Sequence, residues 1–226
     1  MKKQIIIAID GPAASGKSTT AKLVANKLGY VYVDTGAMYR AATLLFIENN
    51  VNIDKTSDNE LTDLLDKNPI SLRIIDGNQH VFIGSRNVSG LIRTPEIAGK
   101  VSAVASRPVV RHYMVKLQQE MGNKQGTVMD GRDIGTVVFP NAELKVFMKA
   151  DVEERAKRRL LEFQKNGIQK ELPELIKEIE DRDHQDSTRE ASPLRQASDA
   201  ILLDTSNLTI DEQVDWIIKK ANAILL

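Results

Sequence analysis

No cysteine occurs among the 226 residues, which excludes disulfides, thiolate metal sites and a cysteine nucleophile, and fits a reducing compartment, the cytosol by default. Aromatic residues make up only 4%, too few for the stacking platforms that hold single-stranded nucleic acid. Neither sign of charge is in excess: 31 Lys and Arg stand against 31 Asp and Glu. No general field therefore draws a polyanion or an acidic membrane, and any anion must be met locally. No apolar run approaches the length of a membrane span. The N-terminal "MKKQIIIAIDG" has a basic start, yet its apolar stretch is short and runs straight into a glycine-rich turn, unlike a signal peptide. What remains is a globular chain long enough for one large domain, or for one domain carrying an insertion.

Five short apolar segments read as core strands. "QIIIAID" is apolar on both parities, the pattern of a strand covered on both faces in a parallel sheet. "YVYVDTG", "GTVMDG", "LKVFMKA" and "AILLDTS" follow it. Helical patterns run between them. In 16–28, Ala21, Val24, Ala25 and Leu28 recur at helical spacing before the stop signal Gly29. Further helices are predicted at about 37–48, at 94–121 with a break at Pro108, in the charged pair "DVEERAKRRLLEFQKNG" and "LPELIKEIEDRDHQDSTRE", and in "IDEQVDWIIKKANAIL". The alternation predicts an α/β fold: a doubly wound parallel sheet of five strands flanked by helices. Residues 69–93 break the pattern, because "ISLRII", the turn signal "DGN" and "HVFIGSRNV" read as an inserted antiparallel hairpin.

Gly11 to Ser18 fits G-x-x-x-x-G-K-[ST], directly after a predicted strand and at the start of a predicted helix, the surroundings this motif requires. Gly11 and Gly16 let the backbone curl so that N–H groups point inward at phosphate oxygens, and the helix N-terminus adds partial positive charge. The loop Gly11, Pro12, Ala13, Ala14, Ser15, Gly16, with Lys17, Ser18 and Thr19, is thus the candidate ATP site. Lys17 would bridge the β- and γ-phosphates, and the Ser18 hydroxyl is the candidate Mg²⁺ ligand. A carboxylate is also needed at the end of another core strand. Asp130 in "TVMDG" fits, because the apolar run stops there and Gly131 lets the chain turn away; Asp34 in "YVYVDTG" is a second candidate. Each has an ordinary alternative role as a helix cap or turn carboxylate.

Ligands of open α/β sheets lie beyond the carboxyl ends of the strands. Arg40 and Arg132 follow two of those ends, which suggests a second anion site. Arg182, Asp186 and Arg189, at i, i+4 and i+7, share one helix face. Spacing alone does not separate a site there from a solvated, salt-bridged helix, in which the i,i+4 pair contributes only about 0.3–0.5 kcal/mol. Magnitude favours a phosphorylated acceptor over water. Bringing an anion to about 4 Å from a triphosphate costs about 4 kcal/mol per pair of unit charges at an effective dielectric of about 20, and converging cations offset that. Such an acceptor is mostly dianionic at neutral pH and needs no general base.

In this order "IDGPAASGKST", "YVDTGAMYRA", "VSAVASRPVVR", "DGRDIGTVVFP" and "RDHQDSTR" resemble the bacterial cytidylate kinases over most of the chain, including the "ISLRII" to "VFIG" insert. The resemblance implies a P-loop core, an acceptor-binding region at about 35–122 containing the 69–93 insert, and a mobile lid at about 151–190. It implies transfer of the ATP γ-phosphate to CMP or dCMP with Mg²⁺, by a cytoplasmic monomer with no nucleic-acid or membrane partner. Carried over by motif, acceptor-phosphate contacts fall on Thr35, Arg40, Arg132 and Arg189, sugar contacts on Arg182 and Asp186, and base-reading on Ser102, Arg111 and Asp133. Lys17, Arg132, Arg182 and Arg189 would neutralise the transition state. Some relatives carry Ser where this chain has Thr35, and G-K-G-T where it has "GKST". Which of Arg155, Arg158 and Arg159 reaches ATP is not set by spacing. The rival enzyme reading is a P-loop kinase for UMP, AMP or shikimate. The rival from another class is a GTP switch, which needs N-K-x-D, and "NKLG" at Asn26 lacks the Asp.

Overall fold

The computed structural model describes residues 4–122, 126–165 and 167–226. In chain order its elements are β1 (Ile6–Asp10), α1 (Lys17–Leu28), β2 (Val31–Asp34), α2 (Thr35–Glu48), α3 (Asp58–Lys67), β3 (Ile70–Ile75), β4 (Asn78–Ile83) and β5 (Arg86–Asn87). There follow α4 (Pro95–Ser106), α5 (Pro108–Gly122), β6 (Thr127–Gly131), a π-helical turn (Ile134–Val138), β7 (Leu144–Lys149), α6 (Val152–Lys165), α7 (Leu172–Thr188), β8 (Ile201–Asp204) and α8 (Ile210–Leu225). Packing divides the chain into two compact units, Met1–Tyr32 with Lys124–Leu226, and Val33–Asn123.

The first unit is built on a five-stranded sheet of order β2-β6-β1-β7-β8, in which β1 runs parallel to both β6 and β7, and β7 to β8. Parallel neighbours require crossovers, which the helices provide. Central β1 shows no inside-outside alternation. Ile7 and Ile9 meet Ala21, Val24 and Ala25 of α1 and Val214 and Ile217 of α8, while Ala8, pointing the other way, is equally buried. Each of these side chains contributes roughly 1.5–3 kcal/mol if it is Val, Leu or Ile, so the carboxyl end of β1 rests on a fully buried apolar core. Helices α6 and α7 meet over a much smaller core, whose buried members are Ala156, Leu175 and Ile179.

The second unit holds α2 to α5 and the antiparallel sheet β3-β4-β5. The predicted hairpin pairs Ile70 with Ile83 through to Ile75 with Asn78. Asp76 and Gly77 form its turn with φ of 50° and 73°, the two left-handed positions of a type I′ turn. The predicted break lies between α4 and α5, where Pro108 starts the second helix. Three elements were not expected from the sequence: helix α3, the short third strand β5, and the π-helical turn. In that turn Val138 N–H reaches the Asp133 carbonyl (3.2 Å) and Phe139 N–H the Ile134 carbonyl (2.7 Å), each spanning five residues. Among the described residues no helix is long and apolar enough to cross a membrane.

Candidate active site

The glycine-rich loop leaves β1 at Asp10 and winds into α1. A Cβ on Gly11 would run into the Met148 carbonyl oxygen, so only glycine lets the loop pass β7. Ala14 and Gly16 adopt left-handed φ of 58° and 89°, which turns successive backbone groups into one concavity, and Gly16 caps α1. Buried Lys17 donates from Nζ to the Pro12 carbonyl (2.8 Å). Burial first, and then the Arg132 charge, pushes the Lys17 ammonium down to about 7, against the pull of Asp130. Ser18 Oγ donates to Asp130 Oδ2 (2.6 Å), and the Tyr32 hydroxyl donates to Asp130 Oδ1 (2.8 Å).

Register explains that meeting: Ile9 pairs with Asp130, so β6 ends beside the start of the loop. Asp34, the other candidate carboxylate, is engaged within the second unit. It caps α2 by accepting from Ala37 N (2.8 Å) and takes Arg40 Nη2 at 3.1 Å, with Arg93 Nη2 at 3.6 Å. A hydroxyl beside a carboxylate is a hard oxygen donor set that suits Mg²⁺. Among the described residues there is no group of three or more His, Cys, Asp or Glu able to hold a metal. Ser18 and Asp130 are the residues that would hold such a cation.

The expected arginines of the first unit converge. Arg132, just after β6, donates from Nε to Asp186 Oδ2 (2.8 Å), and Arg189 Nη1 lies 3.6 Å from Asp186 Oδ1. Burial alone pushes the Asp186 carboxyl up, but the Arg132, Arg182 and Arg189 guanidiniums outweigh it and hold the group below the usual carboxylate range. A carboxyl held below its unfolded value of 3.8 contributes stability above that pH and loses it as pH falls through the lower folded value. Asp186→Asn is thus expected to be less stable at neutral pH and to lose less melting temperature than wild type between about pH 5 and pH 2, as followed by circular dichroism.

In the second unit Thr35 opens α2 and Arg40 lies on that helix, steered by Asp34. Ser102 lies on α4. Arg111, on α5 and almost fully buried, donates to the Ala105 carbonyl (3.0 Å) and stands over the Tyr39 ring. Asp133, buried in the first unit, heads the π-helical turn. The lid candidates separate clearly. Arg155 donates to the Ala13 carbonyl (3.1 Å) and to Asp183 (2.6 Å), and Arg158 donates to the Ser15 and Thr205 carbonyls. Both clasp the glycine-rich loop, whereas Arg159 pairs with Glu162 at the surface. Tyr32 and Asp10 were missed in the sequence. Asp10 accepts two backbone N–H groups, and burial, which outweighs those bonds, pushes its carboxyl up to about 7.

Cations gathered around a phosphate loop suit transfer of a phosphoryl group between two anions, and a parallel sheet with this loop after its first strand places the chain among the P-loop kinases. Residues 7–223 match the profile of the cytidylate kinase family. The chain is 53% identical to a cytidylate kinase of Lactobacillus gasseri over 208 residues, which is 92% of this chain and 90% of that one. It is 52% identical to that of Bacillus subtilis over 219 residues, 97% of each chain. The chain belongs to the cytidylate kinase family. A solved structure of an uncharacterized protein from Eubacterium ventriosum, 14% identical, shares the fold with a TM-score of 0.53, covering 97% of this chain and 99% of that one.

Proposed function

We propose that the chain transfers the γ-phosphate of ATP to CMP and dCMP, giving ADP with CDP or dCDP. The observation that carries this reading is the crowding of cations around the loop. Lys17 feels the charges of Arg132 and Arg182, and Asp186 those of Arg132, Arg182 and Arg189. Such a cluster is unfavourable alone and becomes favourable when polyanions enter it. Backbone N–H groups of the Gly11–Thr19 loop, Pro12 excepted, hold the triphosphate, and Lys17, fully charged once anions surround it, bridges its β- and γ-phosphates. Ser18 and Asp130 would hold Mg²⁺, which would supply positive charge to offset that of the phosphates.

Thr35, Arg40, Arg132 and Arg189 serve the acceptor phosphate, and Arg182 and Asp186 the sugar. The Asp133 carboxylate accepts from the cytosine N4 amino group, while Arg111 donates to the ring acceptors beside Ser102; uracil would turn a carbonyl towards that carboxylate. Residues 151–190 act as a lid that excludes water, and 35–122, with the 69–93 insert, as the acceptor-binding region. The enzyme works as a cytosolic monomer, without a nucleic-acid or membrane partner.

A coupled ADP-release assay with Mg·ATP and CMP, dCMP, UMP, AMP or no acceptor tests the reading. Turnover is expected with CMP and dCMP and little with the others, whereas equal ADP release without acceptor would overturn transfer to a small molecule. Asp133→Ala is expected to lower kcat/KM for CMP by about 10- to 100-fold and that for UMP much less.

A further inference from the structure

Asp10 ends β1 one residue before the phosphate loop, and its side chain is buried. Its Oδ1 accepts the N–H of Ile134 (2.8 Å) and its Oδ2 that of Gly135 (2.7 Å). These are the first two N–H groups of the π-helical turn, and the residue that heads the turn is Asp133. The segment "IGTVV" contains three β-branched residues in its last three positions, which favour a strand over any helix. The turn is therefore imposed from outside. A Cβ on Gly135 would lie 3.1 Å from Lys145 Cδ and 3.4 Å from Asp10 Oδ2, so Asp10 and the Lys145 stem close on it together. Lys145 in turn donates to the Pro140 carbonyl just beyond the turn, and to Asp199.

We propose that Asp10 is a positioning residue for acceptor selection: by clamping the head of the π-helical turn it fixes the carboxylate of Asp133, so that the residue which launches the phosphate loop also sets the base-reading group. The inference rests on the reading of Asp133 given above. A carboxylate that served only the loop would act on ATP instead, and the two roles separate by substrate. Asp10→Asn keeps the size but turns an amide donor towards one of the two N–H groups.

The full chain and its Asp10→Asn and Asp133→Ala variants are compared for KM and kcat with CMP and UMP, for ATP affinity by calorimetry, and for melting temperature. Asp10→Ser, which keeps one acceptor, carries the same comparison if Asp10→Asn does not accumulate folded. The expected result is a KM for CMP raised about 10-fold in Asp10→Asn, the shift that follows from one mispaired buried group. The preference for CMP over UMP falls towards that of Asp133→Ala, and ATP affinity stays within about twofold. Loss of preference in Asp133→Ala but not in Asp10→Asn overturns the inference and leaves the base reading standing. Loss in neither overturns both, and weakened ATP binding with intact CMP preference assigns Asp10 to the loop and also overturns it.

Discussion

Lys17→Ala is expected to lower turnover with ATP and CMP on the order of 10³-fold, the scale on which preorganised charges act in phosphoryl transfer, while the chain keeps its fold. The two halves of this result have one cause. Lys17 is buried, and its ammonium is pushed down to about 7 by burial and then by Arg132, so the empty site gains little from its charge. Alanine at the first position of α1 is a good helix former, and removing the ammonium relieves repulsion among the cations near the loop. The charge is valuable only when a triphosphate fills the loop. Calorimetric melting of the variant should therefore give a temperature at or above that of wild type, beside an ADP-release rate near background. Wild-type turnover in Lys17→Ala would remove the loop from the chemistry.

The fold was legible wherever a local pattern decided it. "QIIIAID" announces a strand buried on both faces, and Ile7, Ala8 and Ile9 are buried. The dipeptide Asp76-Gly77 announces a type I′ turn and adopts one. Helix α3 has a local signal as well: Ser57 and Glu60 form a capping box ahead of the buried Leu61 and Leu65. The π-helical turn carried none. Its β-branched residues point to a strand, and the carboxylate that holds it lies 124 residues earlier.

The site divides along the same line. Strand ends and motif spacing nominated Ser18, Asp130 and Asp34. The pairing of Ile9 with Asp130 puts Asp130 beside Ser18, while Asp34 engages Arg40, and neither arrangement is a property of a short segment. Spacing placed Arg182, Asp186 and Arg189 on one helix face and left open whether they were solvated. Arg132, 54 residues from Asp186, turns that face into a buried cluster. Tyr32 escaped for the same reason, because a strand residue looks ordinary until its partner Asp130 arrives from elsewhere in the chain, and spacing left Arg155, Arg158 and Arg159 unranked because the partners of the first two lie far off in sequence.

Arg132→Met is expected to lower kcat/KM for CMP on the order of 10²- to 10³-fold and to destabilise the fold by about 3 kcal/mol. Methionine replaces the aliphatic stem, so the loss is of the guanidinium and its Nε bond to Asp186 at 2.8 Å. Both partners are well shielded, with side chains 16% and 6% exposed, so solvent screening does little to soften the change. The double variant Arg132→Met with Asp186→Asn separates the two effects. Neutralising Asp186 removes the buried carboxylate left behind, so much of the lost stability should return. The activity should not return, because on the proposed reading the acceptor phosphate still lacks the Arg132 guanidinium and the sugar lacks the Asp186 carboxylate. Urea titration of the single and double variants, read beside their CMP kinetics, gives both quantities. Turnover that recovered along with stability would make the pair a structural clasp and leave the acceptor phosphate to Arg40 and Arg189.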